Sequence, residues 1–159
     1  MEIVAHRLRK DQIEAPLAAE REPVYTARCL LQPIRTVLGE LNIRGLVDAG
    51  EGSARVRPAV LFGLRFYPDL AVTYHGTRTL AFEVKFLRLG GRENATATAL
   101  GQAYLYKQAG YRQCGVLLVD MTGQVTDREI RQAEDVCRSA QIELIVRRKS
   151  GLFLGKHPG

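Results

Sequence analysis

Cysteine is scarce in this chain of 159 residues: Cys29, Cys114 and Cys137 make an odd count and form no CxxC pair. That argues against a disulfide framework and against a structural zinc site, and leaves buried free thiols in a reducing compartment as the expectation. Histidine is equally sparse. His75 falls in a turn and His157 in the tail, and neither has a recognisable Ser or Cys partner for nucleophilic catalysis. No uninterrupted apolar run approaches the ~20 residues of a membrane-spanning helix, and MEIVAHRLRKDQIEAP at the start lacks the apolar core of a secretion signal. The expectation is a cytoplasmic protein with no membrane partner.

Acidic residues are also in deficit, 17 against 23 Lys and Arg, for a net charge of +6 and a pI near 9.5. A surplus of this sign suits a polyanionic partner such as nucleic acid, because neutralised phosphates release condensed counterions. The apolar content of 46% and charged content of 25% are those of an ordinary globular chain. With no repeat, low-complexity tract or linker in view, a single domain over 1–159 is expected, its core spanning about 23–147.

Residues 3–8 read as a short strand. PVYTARCLLQPIRTVLGELN reads as helix, with Pro23 in the first turn and Pro33 as a break or kink. Gly45, Gly50, Gly52 and Ser53 mark loop. VRPAVLFGLRF, DLAVTYH and TLAFEVKFL read as three strands, the last two joined by a hairpin turn at His75-Gly76-Thr77-Arg78. ATATALGQAYLYKQAG is helical, CGVLLVD a buried strand, TDREIRQAEDVCRSAQ a helix with a Thr126–Glu129 capping box, and IELIVRR a strand. This order predicts an α/β fold with a mixed sheet flanked by helices.

In TLAFEVKFLR, residues 79–88, an acid and a base stand two apart within an apolar strand. Side chains two apart share a face, so Glu83 and Lys85 are neighbours there while Phe82, Val84 and Phe86 face a core. Asp69, after Pro68, opens the preceding strand. Two antiparallel strands joined by a short turn can bring it back alongside Glu83. Two adjacent carboxylates repel unless a cation sits between them, and Mg²⁺ with oxygen ligands is the usual occupant beside phosphates. A buried Glu83–Lys85 ion pair is the plain alternative, although such pairs seldom improve stability and this one leaves Asp69 unexplained.

Pro68-Asp69 followed by Glu83-Val84-Lys85 resembles the PD-(D/E)XK motif of the restriction-endonuclease-like nucleases, and the element order resembles their αβββαβ core. The resemblance covers about residues 23 to 120. Gln102 and Tyr106, four apart on one helix face, are similar to the QxxxY motif of the RecB-like branch, where the pair lies near the active site and contacts DNA. The resemblance implies metal ligands at Asp69, Glu83 and the backbone carbonyl of Val84, Mg²⁺ with Mn²⁺ as a substitute, and Lys85 as a catalytic residue. It also implies an additional acid on the first helix. Glu22 is chosen over Glu20 and Glu40 because the helix start lies over the strand ends; a solvated carboxylate favoured by the helix dipole is the other reading. The histidine that the RecB-like branch carries upstream has only His6 to match it.

The expected function is a metal-dependent nuclease, an endodeoxyribonuclease. The alternative is an inactive nuclease-fold module binding nucleic acid or a protein partner; RNA as substrate is also open. A compact unit without a second domain for reading bases implies a homodimer, a partner protein or recognition of DNA structure. Gly90-Gly91 beside Arg88 and Arg92 reads as flexible loop or a close approach to phosphate. The run Arg147, Arg148, Lys149 reads as a solvated end or a DNA contact. Tyr104 and Tyr111 are too scattered for a base-stacking platform.

Overall fold

The computed structural model describes residues 13–17, 19–40, 42, 45–49, 53, 56–148 and 151–155. The strand expected at 3–8, His6, Lys149 and His157 lie outside the described residues.

Helix α1 is α-helical over Glu22–Thr26, π-helical over Ala27–Leu31 and α-helical again over Gln32–Glu40. Pro33 does not break it. Proline lacks the N–H that would close an ordinary turn, and its ring crowds the carbonyl four residues back. A wider π turn directly ahead of it absorbs both demands. The buried face carries Tyr25, Cys29, Leu30, Ile34, Val37 and Leu38.

Along the chain follow β1 (Leu46–Ala49), β2 (Ala59–Leu61), β3 (Leu64–Phe66), β4 (Leu70–Tyr74), β5 (Thr77–Leu87), α2 (Arg92–Gln108), β6 (Gln113–Asp120), α3 (Asp127–Ser139), β7 (Glu143–Arg148) and β8 (Gly151–Leu154). Six of the strands form one mixed sheet in the order β1-β4-β5-β6-β7-β8. Pairing is antiparallel for β1–β4, β4–β5 and β7–β8, and parallel for β5–β6 and β6–β7. The two parallel crossovers run through α2 and α3. A consistent hand of crossover puts both helices on one face, and a core of Ala99, Ala103, Tyr106, Ile130 and Cys137 packs there. Helix α1 covers the other face, against Leu80, Phe82, Val84 and Phe86. Because both faces are covered, β6 is apolar without alternation, buried from Cys114 to Asp120.

Three sequence expectations change. VRPAVLFGLRF is not a sheet strand. It folds into the separate β2–β3 hairpin, because Phe62 and Gly63 turn the chain with φ of 50° and 76°, the two positive values of a type I′ turn. The sheet edge is instead β1, four residues in a stretch read as loop. Likewise β8, read as tail, pairs with β7. Both are too short to show a period.

The thiols of Cys29, Cys114 and Cys137 are free and buried. Burial pushes those of Cys114 and Cys137 up to about 12, which leaves them unreactive. The Thr126–Glu129 capping box opens α3. The basic run is partly engaged, with Arg148 paired to Asp127.

Asp120 ends β6 and builds the loop beyond it. Its Oδ1 accepts from the Thr122 and Gly123 N–H groups and from the Thr122 hydroxyl, and its Oδ2 accepts from the Val125 N–H. Burial opposes its charge, but these bonds outweigh burial and hold its carboxyl below the usual range. Asp120→Ala is expected to cost about 1–2 kcal/mol in urea unfolding, since it leaves half-buried donors without a charged acceptor. The sign with pH follows from the lowered folded value. The contribution is complete above the unfolded value of about 3.9 and is lost as pH falls through the folded one. Acid titration should therefore narrow the gap between wild type and variant below pH ~4.

Candidate active site

The site forms where β5 outlasts β4. Pairing between them ends at Leu70↔Phe82; continued one residue, the register sets Asp69 opposite Glu83. Opposite residues of an antiparallel pair share a face, so the two carboxyls lie side by side. A two-residue turn at His75-Gly76, paired as Tyr74↔Thr77 and Thr73↔Arg78, would not achieve this by itself. The register slips by one between Val72 and Thr73, and the pairs beyond are Val72↔Leu80 and Ala71↔Ala81. Thr79 is the extra residue. Without that bulge Asp69 would oppose Phe82, on the wrong face.

Past the end of β4, the exposed edge of β5 is capped by carboxylates. The Val84 N–H donates to Asp69 Oδ2 at 2.7 Å and the Phe86 N–H to Glu22 Oε1 at 2.8 Å. Glu22 reaches this edge from the start of α1, in the first turn after Arg21. The backbone N–H and C=O of a strand residue point to the same side, so the Val84 carbonyl shares the edge with Asp69. Glu20 is used elsewhere, held in a two-bond pair with Arg28. Glu40 lies at the exposed far end of α1.

Lys85 donates to Glu83 Oε1 at 2.6 Å, and its Nζ lies 3.7 Å from Glu22 Oε2. Tyr106, fully buried on α2, has its hydroxyl 2.8 Å from Glu83 Oε2 and 2.9 Å from the Tyr67 carbonyl. A phenol has one proton to give. When Glu83 is charged, Tyr106 donates to it; when Glu83 is protonated, Glu83 can donate to the phenol and Tyr106 to Tyr67. Tyr106 therefore positions Glu83 from inside the domain. Gln102, one turn earlier, lines a cavity of about 610 Å³ with Pro23, Arg65, Tyr67 and Asp69. Its Oε1 is buried with no hydrogen-bond partner among the described residues, an acceptor that calls for a donor.

The electrostatics show what this packing costs. Glu83 is 1% exposed, and burial followed by the nearby Asp69 charge raises its carboxyl to about 7. Asp69 is raised too, chiefly by burial, with the Val84 N–H and Lys85 opposing. Burial works against the Lys85 ammonium, yet Glu83, Asp69 and Glu22 together outweigh it and hold its value above the ordinary. Burial and Glu83 push the Tyr106 hydroxyl far up, so it stays a donor.

Among the described residues no three His, Cys, Asp or Glu side chains gather into a metal-binding group. The donors present are a pair of carboxylates and a strand-edge carbonyl, all hard oxygens. Mg²⁺ is ordinarily held by one or two carboxylates, with waters and substrate phosphates filling the rest of its octahedron. Such an ion between Asp69 and Glu83 would offset the burial that raises both groups and the Asp69 charge that adds to it at Glu83, so the residues fit it.

Sequence reasoning missed Arg65 and Tyr67 because the hairpin that carries the chain into the site was read as a sheet strand. No helix among the described residues is long and apolar enough to cross a membrane. No family model, no curated protein and no solved structure matches this chain.

Proposed function

We propose that this protein is a Mg²⁺-dependent nuclease hydrolysing phosphodiester bonds, an endodeoxyribonuclease built on a restriction-endonuclease-like αβββαβ core. The observation that carries the proposal is the meeting of Asp69, Glu83 and Lys85 on one face at the open end of β4 and β5. The chain order α1, β1, β4, β5, α2, β6 supports the core assignment, with the β2–β3 hairpin as an insertion after the first sheet strand. The net charge of +6 supports a polyanionic substrate.

Asp69, Glu83 and the Val84 carbonyl would hold the cation. When bound, Mg²⁺ offsets charge on the scissile phosphate and acidifies an attacking water. Lys85 has three N–H donors; Glu83 takes one and the Glu22 carboxylate attracts another. The remaining donor orients the water or meets charge developing on the phosphate. Tyr106 fixes Glu83, and Glu22 fixes the Phe86 backbone and the ammonium. Gln102 offers its unpartnered amide oxygen to a substrate donor.

Purified protein is expected to cut DNA in Mg²⁺ or Mn²⁺ and to cut none in EDTA, assayed on duplex, single-stranded, flap and four-way substrates. Salt-sensitive DNA binding with no metal-dependent nicking on any of them would instead assign it as a non-catalytic module.

A further inference from the structure

The β2–β3 hairpin stands apart from the main sheet, and its end is apolar in water. Val60, Leu61, Phe62 and Leu64 are 65%, 41%, 94% and 63% exposed. Its root is fixed, with Val56 and Ala59 buried against the α2-side core and Phe66 packed on it. The pairs Ala59↔Phe66 and Leu61↔Leu64 place one apolar face from that root to the tip. At the tip, Phe62 takes a left-handed φ of 50°, a position in a type I′ turn that Asn, Asp or Gly fills without strain. An aromatic there is unfavourable both for the backbone and for solvation. At 94% exposed, it is left uncovered by the described residues.

Cations flank this apolar end. Arg57, Arg65 and Arg78 line a hollow of about 480 Å³ at the hairpin base, and among the described residues none of the three has an acidic partner. Arg78 is fixed there, stacked on Tyr111 and donating to the Ala109 carbonyl. Arg65 also lines the cavity that holds Asp69 and Gln102. Phe62 and Asp69 are seven positions apart. At ~3.3 Å per strand residue that is at most about 23 Å, or roughly seven base steps of 3.4 Å.

We propose that the hairpin is a DNA-inserting wedge. Phe62 enters a base step of duplex DNA close to the scissile phosphate, Leu61 and Leu64 follow it into the groove, and Arg57 and Arg65 hold the flanking phosphates. A β-ribbon can enter the minor groove, where an inserted aromatic unstacks a base step and kinks the duplex. The substrate class is then double-stranded DNA that opens readily at the cut, such as a flexible pyrimidine–purine step, a mismatch or a nick. A second copy of this chain suits the surface less well. The apolar end comprises four side chains, short of the ~800 Å² per partner of a standard interface, and two chains each carrying +6 repel. The proposal takes DNA as substrate from the nuclease reading, but its test does not depend on cleavage.

The test uses the full chain in EDTA with short duplexes carrying 2-aminopurine at a TA step, beside a mismatch or at a nick. Wild-type protein should raise 2-aminopurine fluorescence severalfold. Phe62→Asn installs the preferred Asn-Gly turn, so its melting temperature should match or exceed wild type. It should nevertheless lose the fluorescence rise and bind about tenfold more weakly, as expected for one stacked base. Phe62→Trp should restore both. Lys85→Ala should keep the fluorescence rise while losing cleavage, which separates the two readings. Metal-dependent cutting without any rise, or a rise unchanged in Phe62→Asn, would overturn the wedge and leave the nuclease standing. A rise without cutting would do the reverse. A dimer in sedimentation that Phe62→Asn dissociates, or Phe62-dependent binding to phosphatidylglycerol vesicles in place of DNA, would also overturn the wedge.

Discussion

Lys85→Ala is expected to lower metal-dependent DNA cleavage by about 10²–10³-fold in kcat/KM, the usual loss when one preorganised donor is removed from a developing charge. DNA binding, read by anisotropy in EDTA, should be unchanged, because the Lys85 side chain is only 20% exposed and its ammonium is occupied by Glu83 and Glu22. The fold should survive. Glu83 loses its close cation, but its carboxyl is already raised to about 7 and takes up a proton in place of the lost charge. Tyr106 still holds the other oxygen. Lys85→Arg should not restore activity, since a planar guanidinium fork does not substitute for a point charge 2.6 Å from Glu83 Oε1. A Lys85→Ala enzyme cutting at the wild-type rate would remove Lys85 from the chemistry.

Gly115→Ala carries the largest expected effect on stability. Gly115 on β6 pairs with Phe82 on β5, and the Phe82 ring occupies the space beside its Cα. A Cβ there would meet ring carbons at 2.2, 2.7 and 2.7 Å. Phe82 is 2% exposed and walled in by the α1-side core, so the ring has nowhere to retreat. Overpacking of this kind costs about 3 kcal/mol, a fall in Tm of roughly 6–12 °C for a chain of this size. Urea unfolding should show a lower midpoint at unchanged slope. Phe82→Leu in the Gly115→Ala background should recover much of the loss, since the smaller side chain vacates the clash. Recovery there, with a folded double variant, separates a local collision from general damage to β6. If Gly115→Ala unfolds within 1 kcal/mol of wild type, the ring does not rest on this glycine. The site depends on this contact as well. Phe82 adjoins Glu83, so a displaced β5 would also carry the carboxylate away from Asp69.

Much of the architecture was legible in local pattern. The apolar run at β6 and the capping box at Thr126 announce their elements because burial and end-capping act over a few residues. The alternation around Glu83 and Lys85 announces a strand for the same reason. The α1 helix was legible, with either a break or a bend at Pro33; the π turn that carries it through was not, since it is a backbone adjustment that residue types do not record. β1 and β8 escaped because four residues are too few to display a period, and both exist by pairing with neighbouring strands of the sheet. The Phe62-Gly63 turn escaped because Phe-Gly is not a pair that ordinarily marks a type I′ turn.

For the candidate site, the residue types and the shared face of Glu83 and Lys85 follow from the sequence alone, because strand side chains alternate with a period of two wherever the strand is placed. The partnership with Asp69 does not follow. The two-residue turn at His75-Gly76, counted back strictly, sets Asp69 against Phe82 and turns the carboxylates to opposite faces. One extra residue at Thr79 shifts the pairing and brings them together. Glu22 likewise joins from 64 positions away by capping a strand edge that is open only because β4 stops short. Register and strand length are settled by packing across the whole sheet, so only the tertiary structure could decide them.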